Sequence, residues 1–293
     1  MQETVEPQNE ENIEILPDKS EIQNENKKNG VAPKRIVDTD SEKKVDDKAK
    51  IIEESKKILH EGLGKVKTGI NGLDELVDGG FERDSVILIV GSAGTGKTLF
   101  SMQFLYEGAT KYDEPGLFIS FEEEEQSLYK HAMQFGWDFK KLERENKFKI
   151  LCFKPHQVTK ILEEGGGQIR DTLKEIKAKR IVIDSITAYG LLFSDEYKRR
   201  EKMLEFFTLM RKWQVTALVI VEDSPQEVER EEGSIGFISD AIVSMYYQHD
   251  EEKGLRIHAL EIVKMRGTKH TNKLCAINFE ENGITVYPDV EVF

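Results

Sequence analysis

The sequence predicts an α/β fold: a mostly parallel central sheet flanked by helices, with antiparallel strands at its C-terminal side. Three observations predict it. Residues 86–90, 117–121, 180–184 and 215–221 read as strands with mainly apolar interiors and no regular polar alternation, as expected of strands covered on both faces. Segments with helical spacing separate these runs, which is the pattern of a parallel sheet with crossover helices. After Ile235 the helical pattern stops, and strand-like stretches at 241–247, 255–265, 274–279 and 284–287 follow one another, with Asn282-Gly283 as a hairpin signal.

Taken in order, residues 1–44 are dominated by Glu, Asp, Lys, Asn and Gln, with Pro7, Pro17 and Pro33, and no aromatic residue precedes Phe81. Such a segment buries too little apolar surface to offset its ordering entropy, so it is expected to be disordered. Over 46–61 the spacing predicts a helix: Ile51, Ile52, Ile58 and Leu59 fall near one face, Glu53 and Lys57 pair at i,i+4, and Gly62 can end it. That helix is either a partner-docking or coiled-coil arm, or a lead-in that leans on the domain. The expected organisation is a tail over 1–60 and one domain over 62–293, its compact part beginning near Val66. A single domain follows from the single phosphate loop and the lack of an internal repeat. Within it, a short amphipathic turn at 73–77 and Gly79-Gly80 lead to the first strand. Helices are expected at 99–109, 126–135, 158–176 around Gly165-Gly166-Gly167, and 197–213, with a third strand at 148–153. A loop is expected to open at Ser185-Ile186-Thr187.

Composition narrows the partners. A formal net charge of -13 weighs against a surface built to neutralise nucleic-acid phosphates. Cys152 and Cys275 stand in separate apolar stretches without metal-ligand spacing, and are expected to be core thiols in a reducing compartment. No apolar run approaches the roughly 18 to 20 residues needed to span a bilayer, and the N-terminus has no signal-peptide pattern; a cytoplasmic protein is expected.

The chemistry begins at Gly91-Ser92-Ala93-Gly94-Thr95-Gly96-Lys97-Thr98, which fills every position of G-x-x-x-x-G-K-[ST] between a strand and a helix. Gly91, Gly94 and Gly96 let backbone N–H groups turn inward around a phosphate chain. Lys97 supplies a point charge for the outer phosphates, the Thr98 hydroxyl is placed for Mg²⁺, and the following helix adds its dipole. Asp184, at the end of an apolar strand, is placed to hold Mg²⁺ or its bound water; an acid there is otherwise a turn cap. Glu122 and Glu123 follow the 117–121 strand at the carboxyl edge where ligands of such sheets bind. One of them could orient or deprotonate a water attacking the γ-phosphate. The alternative is a solvated acidic run capping the next helix, which is all that is assigned to Glu124 and Glu125. Lys264, Arg266, Lys269 and His270 form a basic cluster between two strands. Residue types alone leave it open whether this is a solvated hairpin or a charge pair reaching a phosphate, in the manner of an arginine finger, with a basic nucleic-acid patch as a weaker third. The acidic stretch 222–232 would repel a nucleic-acid phosphate.

From about Val66 to Pro288 these motifs resemble one domain of the circadian-clock ATPase family KaiC, within the RecA-like P-loop ATPases, in its single-domain, archaeal-type form. The resemblance is carried by GLDELVDGGF, GSAGTGKTLFSMQFLYEGA, EPGLFISFEE, FGWD, IVIDSIT, SDAIV and KMRGTKH, in that order. It implies a RecA-like fold and a homo-hexameric ring with ATP at subunit interfaces. Gly94, Thr95, Gly96, Lys97, Thr98 and Leu99 take the family's phosphate-binding places, and Thr98 its Mg²⁺ place. Glu122 and Glu123 match its glutamate pair and Asp184 its Mg²⁺-site acid. Lys264, Met265, Arg266, Thr268 and His270 match the segment that one subunit offers to ATP bound on the next, which favours the second reading of the basic cluster.

The departures matter too. Gly236 and Phe237 stand where the clock protein's second domain carries an adjacent Ser-Thr phosphorylation pair, which excludes autophosphorylation there. Glu280 and Glu281 replace a Thr-Asp pair, which puts a supplementary nucleotide contact in doubt. The reading is an Mg-dependent ATPase, slow in turnover, acting as a regulatory or signalling module with a protein partner engaged through the tail. The rivals are a non-hydrolytic nucleotide-state sensor, as in the archaellum accessory ATPase, and a DNA recombination ATPase, as in the RadA relatives.

Overall fold

The computed structural model describes residues 64–225, 235–250 and 254–291. The tail over 1–60, its expected helix at 46–61 and most of the acidic stretch after Glu222 lie outside the described residues. An antiparallel ribbon of β1 (Lys65–Val66) and β2 (Phe81–Glu82) opens the domain around the short helix α1 (Leu73–Leu76). There follow β3 (Val86–Gly91), α2 (Lys97–Lys111), β4 (Gly116–Ser120), α3 (Glu125–Met133), α4 (Phe139–Arg144), β5 (Phe148–Cys152), α5 (Pro155–Glu163) and α6 (Gly167–Glu175). The chain continues through β6 (Arg180–Asp184), α7 (Ile186–Gly190), α8 (Glu196–Lys212), β7 (Thr216–Glu222), α9 (Ile235–Ile238), β8 (Ala241–Asp250), β9 (Leu255–Met265), β10 (Cys275–Glu280) and β11 (Gly283–Glu291).

Among the described residues, nine strands form one sheet in the order β11-β10-β9-β8-β3-β7-β6-β4-β5. From β5 to β8 the neighbours are parallel, and β8, β9, β10 and β11 pair antiparallel. Because successive residues of a strand face opposite ways, β3 feeds two cores. Ile87 and Ile89 pack with Phe100, Phe104 and Leu105 of α2, whereas Val86, Leu88 and Val90 pack with Phe206, Phe207 and Met210 of α8. An apolar strand without alternation is what two covered faces require.

Arg180 is a buried cation at the start of β6. Its Nε and Nη2 donate to Glu114 Oε2 at 2.8 and 2.6 Å, Nη1 to the Phe104 carbonyl at 2.7 Å and Nη2 to the Lys67 carbonyl at 2.8 Å. The guanidinium also lies 4.3 Å from the Phe104 ring centroid. Burial lowers its pKa, and Glu114 pulls it back up. Gly108 makes room for it, since a Cβ there would come within 2.5 Å of the Arg180 side chain.

Several expectations change in detail. Residues 186–190 form α7 rather than a loop, because Ile186 and Tyr189, three apart, both find buried sites. Cys275 is buried as expected, but Cys152 is exposed: it is the last residue of β5, the edge strand. Glu124 occupies the N-cap of α3 without a side-chain capping bond, whereas Asp138 caps α4 by accepting the Lys141 N–H at 2.9 Å. In the C-terminal hairpin Glu280 pairs with Gly283, so Glu281-Asn282 make the connection and Gly283 opens β11 at φ 123°. A side chain at Gly283 would collide with Gln103, whose Oε1 accepts the Ile284 N–H at 2.6 Å.

Candidate functional site

The phosphate loop leaves β3 at Gly91, and Ser92, Ala93, Gly94, Thr95 and Gly96 carry the chain into α2, whose first residues are Lys97, Thr98 and Leu99. Gly96, the N-cap of α2, has φ 93°, a left-handed conformation that strains any side chain, and a Cβ there would lie 2.6 Å from the Phe279 ring. No side chain caps this helix, so its first N–H groups are left for an anion. Ser92, Ala93 and Gly94 are exposed, while Thr95 is buried and its hydroxyl donates to the Ser92 carbonyl at 3.0 Å. Lys97 is 5% exposed and its Nζ donates to the Ser92 carbonyl at 2.9 Å. Burial holds its ammonium below the usual lysine range, opposed first by Glu222 and then by Asp184 and Glu122.

Three parallel strands bring acids to the same edge. The Thr98 hydroxyl donates to Asp184 Oδ2 at 2.7 Å. Burial pushes the Asp184 carboxyl up to about 6; the Thr98 bond works against this, and the negative charges of Glu122, Glu222 and Glu123 add to it. Glu122 and Glu123, neighbours in sequence, diverge. Glu122 Oε1 accepts from the Ser185 hydroxyl at 2.8 Å, beside Asp184. Glu123 Oε2 instead accepts from the Ser127 hydroxyl at 3.0 Å and lies 3.4 Å from His131 Nδ1, both on α3.

The basic segment is not part of this cluster. Met265 pairs with Ala241 and Ala241 with Ile87, at the amino end of β3, whereas the phosphate loop leaves from Gly91. The two lie roughly 13 Å apart along the strand at about 3.3 Å per residue. Lys264 Nζ donates to the Gly236 and Ser239 carbonyls at 2.8 and 2.7 Å. Exposed Arg266 donates to the Phe237 carbonyl at 2.7 Å, and its backbone N–H donates to the Asp240 carbonyl at 2.9 Å. Met265 is buried, and Thr268 bridges Lys65 Nζ (2.6 Å) and Glu82 Oε1 (3.0 Å). His270 Nδ1 meets the neighbouring Thr271 carbonyl at 2.9 Å.

Some residues at the loop were not singled out from the sequence. Ser185 orients Glu122, and its only sequence signal was adjacency to Asp184. Glu222 ends β7 opposite Gly91 and places Oε1 3.8 Å from Lys97 Nζ. An acid after an apolar strand is the signal that marked Asp184, but Glu222 was read with the acidic stretch instead. His258 has Nε2 3.3 Å from the Gly94 carbonyl, stacks on Tyr247 at 4.2 Å and meets Phe279 edge-on at 4.7 Å. No local pattern announced that aromatic cover. Among the described residues no group of three or more His, Cys, Asp or Glu is arranged to hold a metal ion. The Thr98–Asp184 pair, a hydroxyl and one carboxylate, still suits Mg²⁺, which keeps several waters and takes phosphate oxygens as ligands.

Comparisons with known proteins bear on the family and the fold. The sequence profile of the KaiC ATPase family matches residues 66–291. The circadian clock oscillator protein KaiC of Prochlorococcus marinus is 34% identical over 231 residues, covering 76% of this chain and 45% of that protein. The KaiC of Synechococcus elongatus is 32% identical over 243 residues, 78% of this chain and 45% of the other. The chain thus spans under half the length of these curated relatives. The crystal structure of a KaiC-like protein from the hyperthermophilic archaeon Pyrococcus horikoshii is 36% identical, with a TM-score of 0.68 over 77% of this chain and 100% of that one. With the family's sequence pattern, a RecA-like sheet and a phosphate loop at its carboxyl edge, this chain belongs to the KaiC ATPase family.

Proposed function

We propose that the domain binds Mg·ATP and hydrolyses it slowly, as a subunit of a homo-hexameric ring that serves as a regulatory module. One observation carries the reading: a single chain gathers Lys97, Thr98, Asp184 and Glu122 at one edge of the sheet and holds Arg266 at the other. A neighbouring copy is the natural source of an Arg266 at the phosphate-loop edge.

In this mechanism the loop N–H groups and Lys97 grip the phosphates; Thr98 and Asp184 would hold a Mg²⁺, which would supply neutralisation of phosphate charge. Water attacks the γ-phosphorus in line, the bond from the γ-phosphorus to the β–γ bridging oxygen breaks, and ADP leaves. Glu122, kept in place by Ser185, takes the water proton. Arg266 of the adjacent copy meets the charge on the transferred group. Lys264, Met265, Thr268 and His270 complete the segment offered across the interface, with Thr268 tying it to the β1–β2 ribbon.

A second reading, binding without turnover, draws on both glutamates being held, Glu123 by Ser127 and His131 and Glu122 by Ser185. Nucleic acid is a weaker partner for a chain of net charge -13. No helix among the described residues is long and apolar enough to cross a membrane, and we place the protein in the cytoplasm. Phosphate release by the full chain, together with its mass with and without Mg·ATP, tests the proposal. Turnover with an ATP-dependent hexamer is expected. A monomer in both conditions would remove the ring, and tight binding with no turnover would establish the sensor reading.

A further inference from the structure

Glu222 closes β7 level with Gly91 in the parallel β3–β7 pairing, so its side chain reaches the phosphate loop from the adjoining strand. Its N–H is fixed by a 2.9 Å bond to the Thr187 hydroxyl, while the carboxylate is 46% exposed. Among the described residues the side chain has one polar contact, Lys97 Nζ at 3.8 Å. Lys97 is the opposite case, a buried cation whose Nζ also donates to the Ser92 carbonyl at 2.9 Å. The other acids bearing on it are already engaged, Asp184 by Thr98 and Glu122 by Ser185. The lysine that a phosphate chain needs is therefore met by the one acid there whose side chain no other group holds.

We propose that Glu222 is an affinity-determining residue, a displaceable carboxylate that pairs with the Lys97 charge until a nucleoside polyphosphate takes its place. The proposal rests on the reading of the loop as a phosphate site. Two costs oppose the incoming anion. The Lys97–Glu222 attraction must be given up, and the displaced carboxylate stays close enough to repel the phosphates. Exposure of Glu222 to solvent keeps both costs moderate and makes them fall with added salt. Replacing Glu222 by Gln keeps the shape and removes the charge, so it tightens polyphosphate binding and leaves the nucleoside part untouched.

The test is calorimetric titration of the full chain and its Glu222→Gln variant with Mg·ATP and, separately, with adenosine, at low and at physiological ionic strength. The variant is expected to bind Mg·ATP about threefold or more tightly at low ionic strength, the fold-change of an exposed pair. The gap narrows at higher salt, and adenosine behaves alike in both proteins. Equal or weaker Mg·ATP binding by the variant overturns the proposal, as does a matching change for adenosine, which would point to altered packing. If the variant fails to fold, Glu222→Ala carries the same expectation. A parent chain that does not bind Mg·ATP defeats the phosphate-site reading and this inference together. A parent that binds, with no gain in the variant, defeats this inference alone.

Discussion

Thr98 and Asp184, 86 positions apart in sequence, meet through a 2.7 Å hydrogen bond at the carboxyl edge of the sheet. The bond joins the first turn of α2 to the end of β6 and turns two separate motifs into one candidate cation site. Thr98→Ala removes the donor and one ligand. We expect phosphate release by that variant to need far more Mg²⁺ for half-saturation, with a loss of activity of about 10- to 100-fold. A Mg²⁺ titration that superimposes on the parent curve would dissolve the assignment.

Lys97→Ala is expected to abolish Mg·ATP binding, because it removes the ammonium that the loop itself holds, 5% exposed and bonded to the Ser92 carbonyl. Equilibrium binding measures it, with circular dichroism confirming that the variant folds. Retained micromolar binding would show that the loop N–H groups suffice.

The two glutamates should separate. Glu122 is held beside Asp184 by Ser185, and Glu123 is turned toward Ser127 and His131. Glu122→Gln is expected to lower kcat by about 10²- to 10⁴-fold, the usual worth of general-base catalysis, with Glu123→Gln the milder change. Steady-state kinetics on both variants checks the order, and the reverse order would reassign the base.

Arg266→Ala should leave nucleotide binding within about threefold of the parent and depress turnover by about 10³-fold or more, as for an arginine finger acting in trans. Mixing Arg266→Ala with Lys97→Ala subunits tests the geometry directly. Mixed rings contain interfaces in which an intact Lys97 faces an intact Arg266, so activity should partly return. Mixtures no better than either variant would place Arg266 outside the interface.

Glu114 offers a test of the fold that is independent of the site. It accepts two bonds from Arg180, a fully buried guanidinium. Glu114→Ala leaves that cation without its counter-charge, and a loss of about 3–5 kcal/mol is expected in urea unfolding. A change below about 1 kcal/mol would mean that the Phe104 and Lys67 carbonyls satisfy Arg180 by themselves.

Features that depend on near neighbours are legible in the order of residues. The strand, glycine loop and helix around Lys97 are written in consecutive residues, and so are the buried strand ending at Asp184 and the pair Glu122-Glu123. The family pattern over these motifs was equally legible. Local spacing misled at Ile186 and Tyr189, where buried packing turned an expected loop into α7, and at Cys152, where only its position on the edge strand decided exposure. Tertiary structure alone decided which motif ends meet. The strand order β3-β7-β6-β4 sets Glu222 next to Gly91 and gathers Asp184 and Glu122 nearby, while the antiparallel return of β9 carries Arg266 to the far edge. Hydrogen bonding between strands distant in sequence sets that order, and no local periodicity encodes it.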